Sequence, residues 1–518
     1  MKVLARIRSL VPKKFERKHV LILIVLGIAT FLRFYNVANT VQFLGDQGRD
    51  ALIVSRIFRE LDFVFIGPVT SVGNMYLGPL YYYFMVPFLW LTYPSPMGPV
   101  YAIALLGVVT VFLMYHLGKK FLSERVALIA ATLFGLSAVV AQNTRFSWNP
   151  NPAPFVSLLL MYFTFKALQN VKYWIAVVVC FAVLIQLHYM TLLAGAAFGL
   201  VWLYQLFTKI KEKKPLKKMF TATTVGVLIF LLSLTPLVLF DIKHDGLNKK
   251  AFINILTKEE TFAKNEHEAP TVLASTLINI RSRAKLILTD LSVGEHDSSF
   301  DTFIAFSLIA VLFYIVIRKF KKGRLASGEF IVFSFLITGI IGTALYRHNI
   351  YHHYIAYLFP AAFFSLAIIL DYLYQKSMVG KILVGIFSFF FIQFNFIYGR
   401  EMLESLGWTI ANIQSVAQTI EDRVKPGEKY NIVLLNGTGD LNGQNYRYFL
   451  STSDDKKIVS EEEFGQVETL FIIDEERKIE KEVDSPVYEI VVFPNKKPVE
   501  VYTIPDGPEI TMLRKEQN

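Results

Sequence analysis

The chain has 518 residues, 53% hydrophobic and 14% aromatic, and only 18% are charged. A soluble protein of this length would divide into two or more domains and carry more charge at its surface. The net charge of +11 would point to nucleic acid if the basic residues shared one soluble face, but they sit in Lys2–Lys18, Lys209–Lys218 and Arg318–Arg324, short segments before or between apolar blocks, so nucleic acid is not an expected partner.

In chain order the apolar blocks are Val20–Tyr35, Val100–Leu117, Val126–Ala141, Phe155–Phe165, Trp174–Leu187, Leu192–Phe207, Phe220–Phe240, Phe303–Ile317, Phe330–Leu345, Tyr354–Leu370 and Ile382–Ile397. Each suits a spanning helix, for which a bilayer core takes ~20 residues, fewer where flanking side chains snorkel. Basic segments between spans face the cytoplasm. One more segment, Gly78–Tyr93, is apolar but short, aromatic and interrupted by Pro87. If it crossed, the basic loops would fall on opposite sides. If it lies in the outer interface, or dips in and returns, Lys119-Lys120, Lys166–Lys172 and Lys376–Lys381 join the others inside. The expectation is therefore a mainly α, polytopic plasma-membrane protein of about eleven spans plus outer juxtamembrane helices, with its N-terminus cytoplasmic and its C-terminal region extracytoplasmic.

The organisation follows from that count. Residues 1–19 form a basic cytoplasmic N-terminus and 20–398 a transmembrane domain, with outer loops at 37–99 and 241–301. Residues 399–518 form an extracytoplasmic α/β domain, with a helical pattern at Ile410–Val424 and strand-like runs at Tyr430–Leu435, Thr469–Ile473, Val487–Phe493 and Val499–Ile504. The first apolar block lacks a small-residue cleavage site and reads as a retained helix. The single cysteine, Cys180, lies in a predicted span and permits no intramolecular disulfide.

Directly after the first span comes Gly45-Asp46-Gln47-Gly48-Arg49-Asp50, then an amphipathic run to Leu61. Charged groups beside hydrocarbon are costly and mark functional sites. A helix from Asp46 places Ile53, Ile57 and Leu61 on one stripe and lies flat on the bilayer, its N-terminus offering N–H donors suited to a phosphate. Asp46 serves there either as a helix cap or as a reactive carboxylate. The company of Arg49, Asp50 and an aromatic strip of Tyr76 and Tyr81–Tyr83 favours the second.

These features resemble the GT-C fold glycosyltransferases, most of all protein O-mannosyltransferases and the aminoarabinose transferases that modify lipid A. The resemblance rests on the first span, an outer loop opening with Asp46, the amphipathic helix and the Gly78-Pro79-Leu80-Tyr81-Tyr82 segment. Gly118–Arg125, as a cytoplasmic turn, and Asn143–Pro154, returning outside, add to it. It covers about residues 20–170, loosens towards 400 and ends before the tail. It implies transfer of a sugar from a polyprenyl-phosphate donor to a hydroxyl acceptor (protein, lipid or glycan) on the non-cytoplasmic face. Asp46 would be the catalytic general base, and the stereochemistry would be inverting. The chain departs from the family pattern twice. Asp46-Gln47 stands where several relatives carry Asp-Glu, leaving Asp50 as the candidate second carboxylate. Leu77-Gly78-Pro79-Leu80 also lacks the lysine that often precedes the tyrosines, so another cation must meet the phosphate.

Candidates for that cation are Arg49 and the outer run around Arg347, His352 and His353, although an arginine and histidines snorkelling at an interface would look the same. His348 and His352 stand one helical turn apart, but no Cys or HExxH pattern accompanies them, so no metal ligand is assigned and a divalent cofactor is left open. Arg145, Asn149, His188 and His244 are cavity candidates on topology, beside Tyr76, Tyr81 and Tyr82. Two rival functions stand: a transporter or flippase of lipid-linked glycans, and a polysaccharide polymerase or ligase. Span middles nearly free of charge speak against ion-coupled transport.

Overall fold

The computed structural model describes residues 16–70, 75–257, 272–295, 298–346, 349–405, 407–437, 440–453, 458–460, 467–477, 485–494, 497–505 and 507–515. Each of the eleven apolar blocks is helical. The main elements in chain order are α1 (Arg17–Phe34), α2 (Gly45–Arg59), α3 (Leu80–Thr92), α4 (Met97–Phe121), α5 (Glu124–Leu136), α6 (Ala153–Gln169), α7 (Trp174–Leu187), α8 (Leu193–Lys211), α9 (Lys217–Ser233), α10 (Ser299–Lys321), α11 (Ser327–Ala344), α12 (Phe359–Lys376) and α13 (Met378–Leu403). Among the described residues six helices are long and apolar enough to cross a bilayer, and a seventh span arises if α9 and Thr235–Lys243, bent by 43°, count together. Shorter helices supply the other blocks, together with α1, whose 18 residues include Arg17, Lys18 and Arg33. This is a multi-pass membrane protein.

The core is centred on α12, where every residue from Phe359 to Leu370 is buried and none is charged. The helix packs on α5, α10, α11 and α13. The block expected as one helix over Val126–Ala141 breaks at Ser137. Away from water a break must find partners for its freed backbone groups. Ser137 Oγ accepts from Val140 N–H (3.2 Å) and Asn395 Oδ1 from Ala138 N–H (2.7 Å), while the Ser137 hydroxyl itself donates to the Leu291 carbonyl (2.7 Å).

Polar contacts sort the bundle into two ends. At one, Lys18 pairs with Glu124 (3.1 Å), Arg125 with Asp371 (3.1 Å) and Lys319 with Glu329. At the other lie α2, the turns after α5, α7 and α11, and the C-terminal region. The chain enters α3 at this second end, where the Tyr82 hydroxyl donates to Asp50 (3.2 Å). It also leaves α3 there, where the Tyr448 hydroxyl donates to the Pro94 carbonyl (2.8 Å). Helix α3 therefore does not carry the chain across the bundle.

The C-terminal region adds α14 (Ile410–Glu421), α15 (Gln444–Leu450) and a four-stranded sheet. Its strands are β1 (Tyr430–Leu435), β2 (Thr469–Asp474), β3 (Pro498–Thr503) and β4 (Glu509–Arg514), in the order β1-β2-β4-β3. β1 and β2 run parallel, and β4 is antiparallel to both β2 and β3. Three of the expected strand runs match strands. Val487–Phe493 instead holds a short helix, Tyr488–Val491, and β4 was not anticipated from the sequence.

Candidate active site

Helix α2 packs between α3 and α15, and contact on both flanks decides which residues it buries. The expected Ile53–Ile57–Leu61 stripe is not the buried face. Leu61 lies beyond the helix, 71% exposed, while Gly48, Asp50, Ala51, Val54 and Ile57 are buried. Gly48 is required by its surroundings: a Cβ there would sit 2.4 Å from the Asn445 backbone nitrogen. Gln47 acts where a capping-box residue belongs, its Oε1 accepting from Leu44 N–H at 3.0 Å. Asp46 is thereby released from capping and stands in the first turn with its side chain about half exposed (47%).

Arg49 lies between two carboxylates. Its Nη1 donates to Asp46 Oδ1 at 2.8 Å, while Nη2 and Nε donate to Asp50 Oδ1 at 2.8 and 3.1 Å. Asp50 is fully buried, and its Oδ2 has no hydrogen-bond partner. Burial pushes the Asp50 carboxyl up to about 6, Arg49 and the Tyr82 hydroxyl hold it down, and the Asp46 charge adds to the rise. Burial works against the charged guanidinium, yet Asp50, Tyr82 and Asp46 keep the Arg49 pKa above its usual value.

Asp46 and Arg49 line a cavity of about 420 Å³. Asn149, Trp148, His188, His353, Tyr346 and Tyr354 line it too, so the turns after α5, α7 and α11 converge on the start of α2. Asn149 is fixed by donating to the Leu187 carbonyl (2.6 Å). His188 Nδ1 accepts from Met190 N–H (3.2 Å), which leaves the proton on Nε2, and burial lowers its pKa to about 4, so the ring is neutral at neutral pH. Trp148 and Tyr354 flank the His353 ring at 4.4 and 4.5 Å between centroids.

The structure thus brings together Asp46, Arg49, Asn149, His188 and His353. Other candidates lie elsewhere. Tyr82 and Asp50 support Arg49 from behind, and Tyr81 is buried with its hydroxyl 2.6 Å from Ser147 Oγ. The Tyr76 ring packs on Phe240 (5.0 Å) and its carbonyl accepts from the Tyr189 hydroxyl. Arg145 donates to the carbonyls of Leu32 (2.6 Å) and Tyr35 (2.9 Å) and to the Thr40 hydroxyl, and it lines a separate cavity of about 310 Å³. His244 is exposed and stacks on Phe240 at 4.1 Å. His352 Nε2 is buried without a partner, and Arg347 and His348 lie outside the described residues. Among the described residues no group of three or more His, Cys, Asp or Glu side chains is arranged to hold a metal ion.

Sequence reasoning gave no role of their own to Trp148, Tyr346 and Tyr354, although the last two bound the run it singled out around Arg347, and it passed over a cationic flank. In the helix Val272–Lys285, Arg283 is buried and donates to the Tyr346 carbonyl (3.5 Å), while Lys285 reaches both Asp290 oxygens at 3.1 Å across a buried π-helical turn, Leu286–Asp290. The run Arg281-Ser282-Arg283-Ala284-Lys285 was the available signal.

The chain is similar to known proteins in sequence over part of its length and in fold over most of it. Residues 78–240 match the family model described as dolichyl-phosphate-mannose-protein mannosyltransferase. No curated protein matches the chain. ArnT from Cupriavidus metallidurans, in crystals bound to undecaprenyl phosphate, superposes with a TM-score of 0.57 at 13% identity, covering 95% of this chain and 97% of that one. The apo form of the same protein gives 0.56 at 11% identity with the same coverage. The Archaeoglobus fulgidus oligosaccharyltransferase in apo form gives 0.50 at 10% identity, covering 89% and 70%. The chain has the fold of ArnT along its length, and residues 78–240 carry the pattern of the dolichyl-phosphate-mannose-protein mannosyltransferase family.

Proposed function

We propose that the protein transfers a sugar from a polyprenyl-phosphate donor to a hydroxyl acceptor on the non-cytoplasmic face, with Asp46 as general base. The positive-inside pattern supports that placement: the basic turns mark the cytoplasmic end, so α2 and the C-terminal region lie outside. One observation carries the proposal, namely that Asp46 and Arg49 share a cavity with Asn149, His188 and His353. That ArnT binds undecaprenyl phosphate makes this carrier class the first donor to test.

The chemistry follows from the geometry. An acceptor hydroxyl is a weak nucleophile until Asp46 takes its proton, and a positioned carboxylate contributes ~10²–10⁴-fold. The alkoxide oxygen attacks the anomeric carbon opposite the phosphate. The new C–O bond forms as the bond to phosphate oxygen breaks, the electron pair leaves with polyprenyl phosphate, and the configuration inverts. Negative charge growing on that oxygen needs cationic and N–H donors already in place. Arg49 meets that need. Its two bonds to Asp50 hold it while its third nitrogen turns from Asp46 to the phosphate, which also frees Asp46 to act as a base. Neutral His188 and Asn149 add polar contacts without another charge.

Asp46→Asn keeps the shape and removes the base. Transfer from a polyprenyl-phosphate sugar should fall by ~10²–10⁴-fold with donor affinity retained. Wild-type turnover by that variant would reject Asp46 as base.

A further inference from the structure

The first turn of α2 faces two cavities. Asp46 lines the one described above. Gly45, its neighbour at a Cα distance of about 3.8 Å, lines a second, of about 470 Å³. The second cavity lies between Val41–Gly45 and the sheet, where Asn436 and Glu475 directly follow the ends of the parallel strands β1 and β2. Open α/β sheets hold ligands in the crevice at such strand ends.

Its wall has a definite chemistry. Trp408 offers an indole face, and Gln42, Asn436, Asp440, Asn445 and Glu475 offer amides and carboxylates. No described Lys, Arg or His lines it. Two carboxylates without a cation repel a phosphate or a carboxylate, which excludes the anionic donor headgroup. Amide and carboxylate oxygens accept from hydroxyls, and an aromatic face covers the C–H side of a sugar ring.

The site is built into the fold rather than spread on a surface. Asn445 is 5% exposed, and its buried Oδ1 has no hydrogen-bond partner. Glu475 is held by the Tyr446 hydroxyl (2.7 Å) and Asn436 Nδ2 (3.2 Å). The first loop and the sheet region approach so closely that a Cβ on Gly45 would lie 2.2 Å from Asp440 Oδ2.

We infer that this second cavity binds a neutral carbohydrate, the glycan part of the acceptor, and presents its hydroxyl past Gly45 to Asp46. The inference rests on the transferase reading for the role of the sugar, though not for its binding.

The test uses the full chain in lipid nanodiscs, titrated with a panel of neutral gluco-, manno-, galacto- and N-acetylglucosamine oligosaccharides and, separately, with undecaprenyl phosphate. At least one oligosaccharide should bind saturably. Trp408→Leu should weaken it about tenfold, as should Glu475→Gln, which keeps an oxygen for the Tyr446 hydroxyl, and neither variant should change undecaprenyl phosphate binding. Failure of every oligosaccharide to bind, or binding indifferent to both variants, overturns the inference. Binding of a lysine-rich pentapeptide in place of any sugar also overturns it, in favour of a peptide ligand. Wild-type protein that binds the oligosaccharide but not undecaprenyl phosphate would bring down the donor reading and leave the sugar site standing.

Discussion

Arg49 and Arg145 stand in two loops at the same end of the bundle, and their surroundings give them opposite work. Arg145, in the turn after α5, donates to the carbonyls of Leu32 and Tyr35 at the end of α1. The last carbonyls of a helix have no intrahelical partner and carry the negative end of its dipole, so a guanidinium there closes off the helix. Arg49, one turn into α2, faces carboxylates on both sides and opens onto the cavity. A cation satisfied by backbone carbonyls has nothing to release. A cation shared between a buried and a half-exposed carboxylate can let go of the second when a phosphate arrives. Topology placed both arginines at one end of the bundle, but only their partners distinguish their surroundings.

The sharpest break in that contrast is removal of Arg49. Arg49→Ala alone strands a buried Asp50 charge, a loss of about 3–5 kcal/mol of stability for such pairs. The double variant Arg49→Ala/Asp50→Asn removes both charges and isolates ligand binding. It should stay folded and bind undecaprenyl phosphate about a hundredfold more weakly, the loss of ~2–3 kcal/mol expected of a charge-assisted contact. Titration at fixed salt measures it, and unchanged affinity would put the phosphate elsewhere. Arg145→Ala should show the reverse profile. Losing charge-assisted bonds to backbone carbonyls should cost about 1.5–3 kcal/mol, read as a lower melting temperature, while the protein that remains folded transfers sugar at close to the wild-type rate. A large drop in its intrinsic turnover would erase the distinction between the two arginines.

How much of this was legible in sequence depends on the range of the interaction. The apolar blocks, the helix beginning near Asp46 and three of the four strands follow from local composition and period, which need only neighbours along the chain. The reading that α3 returns to its own side came from counting basic residues, and the ties of Tyr82 to Asp50 and Tyr448 to Pro94 agree with it. The buried face of α2 was not legible, because it is set by α15, nearly four hundred residues away in the chain. Nothing local in the sequence shows why residue 48 must be glycine; the Asn445 backbone that lies against it does. Likewise Trp148 meets the neighbouring His353 and Tyr354 only after the turns following α5 and α11 converge, and no local pattern announces that. His244 and Tyr76 were cavity candidates on topology, and both rings are taken up by Phe240 instead.

The smallest expected effect tests the buried half of the Arg49 bridge. Asp50 has its carboxyl raised from 3.8 to about 6, burial being the main cause and Arg49 opposing it. In the window between those values the folded chain binds more proton at Asp50 than the unfolded chain does, so stability from this group is fully present below about 3.8 and is lost as pH rises through about 6. A tenfold difference in proton affinity between the folded and unfolded chain is worth about 1.4 kcal/mol. The isosteric Asp50→Asn variant has no such titration. The melting temperature of wild type relative to Asp50→Asn should therefore fall between about pH 4 and pH 6 and level off above pH 7. A rise over the same window would mean that the pull of Arg49 outweighs burial, and that the bridge is tied more tightly on its buried side than the unpartnered Asp50 Oδ2 implies. Arg145, with no carboxylate among its partners, gives the control: Arg145→Ala should leave this pH step in place, because the step belongs to the acidic side of the α2 cluster and not to arginines at this end of the bundle in general.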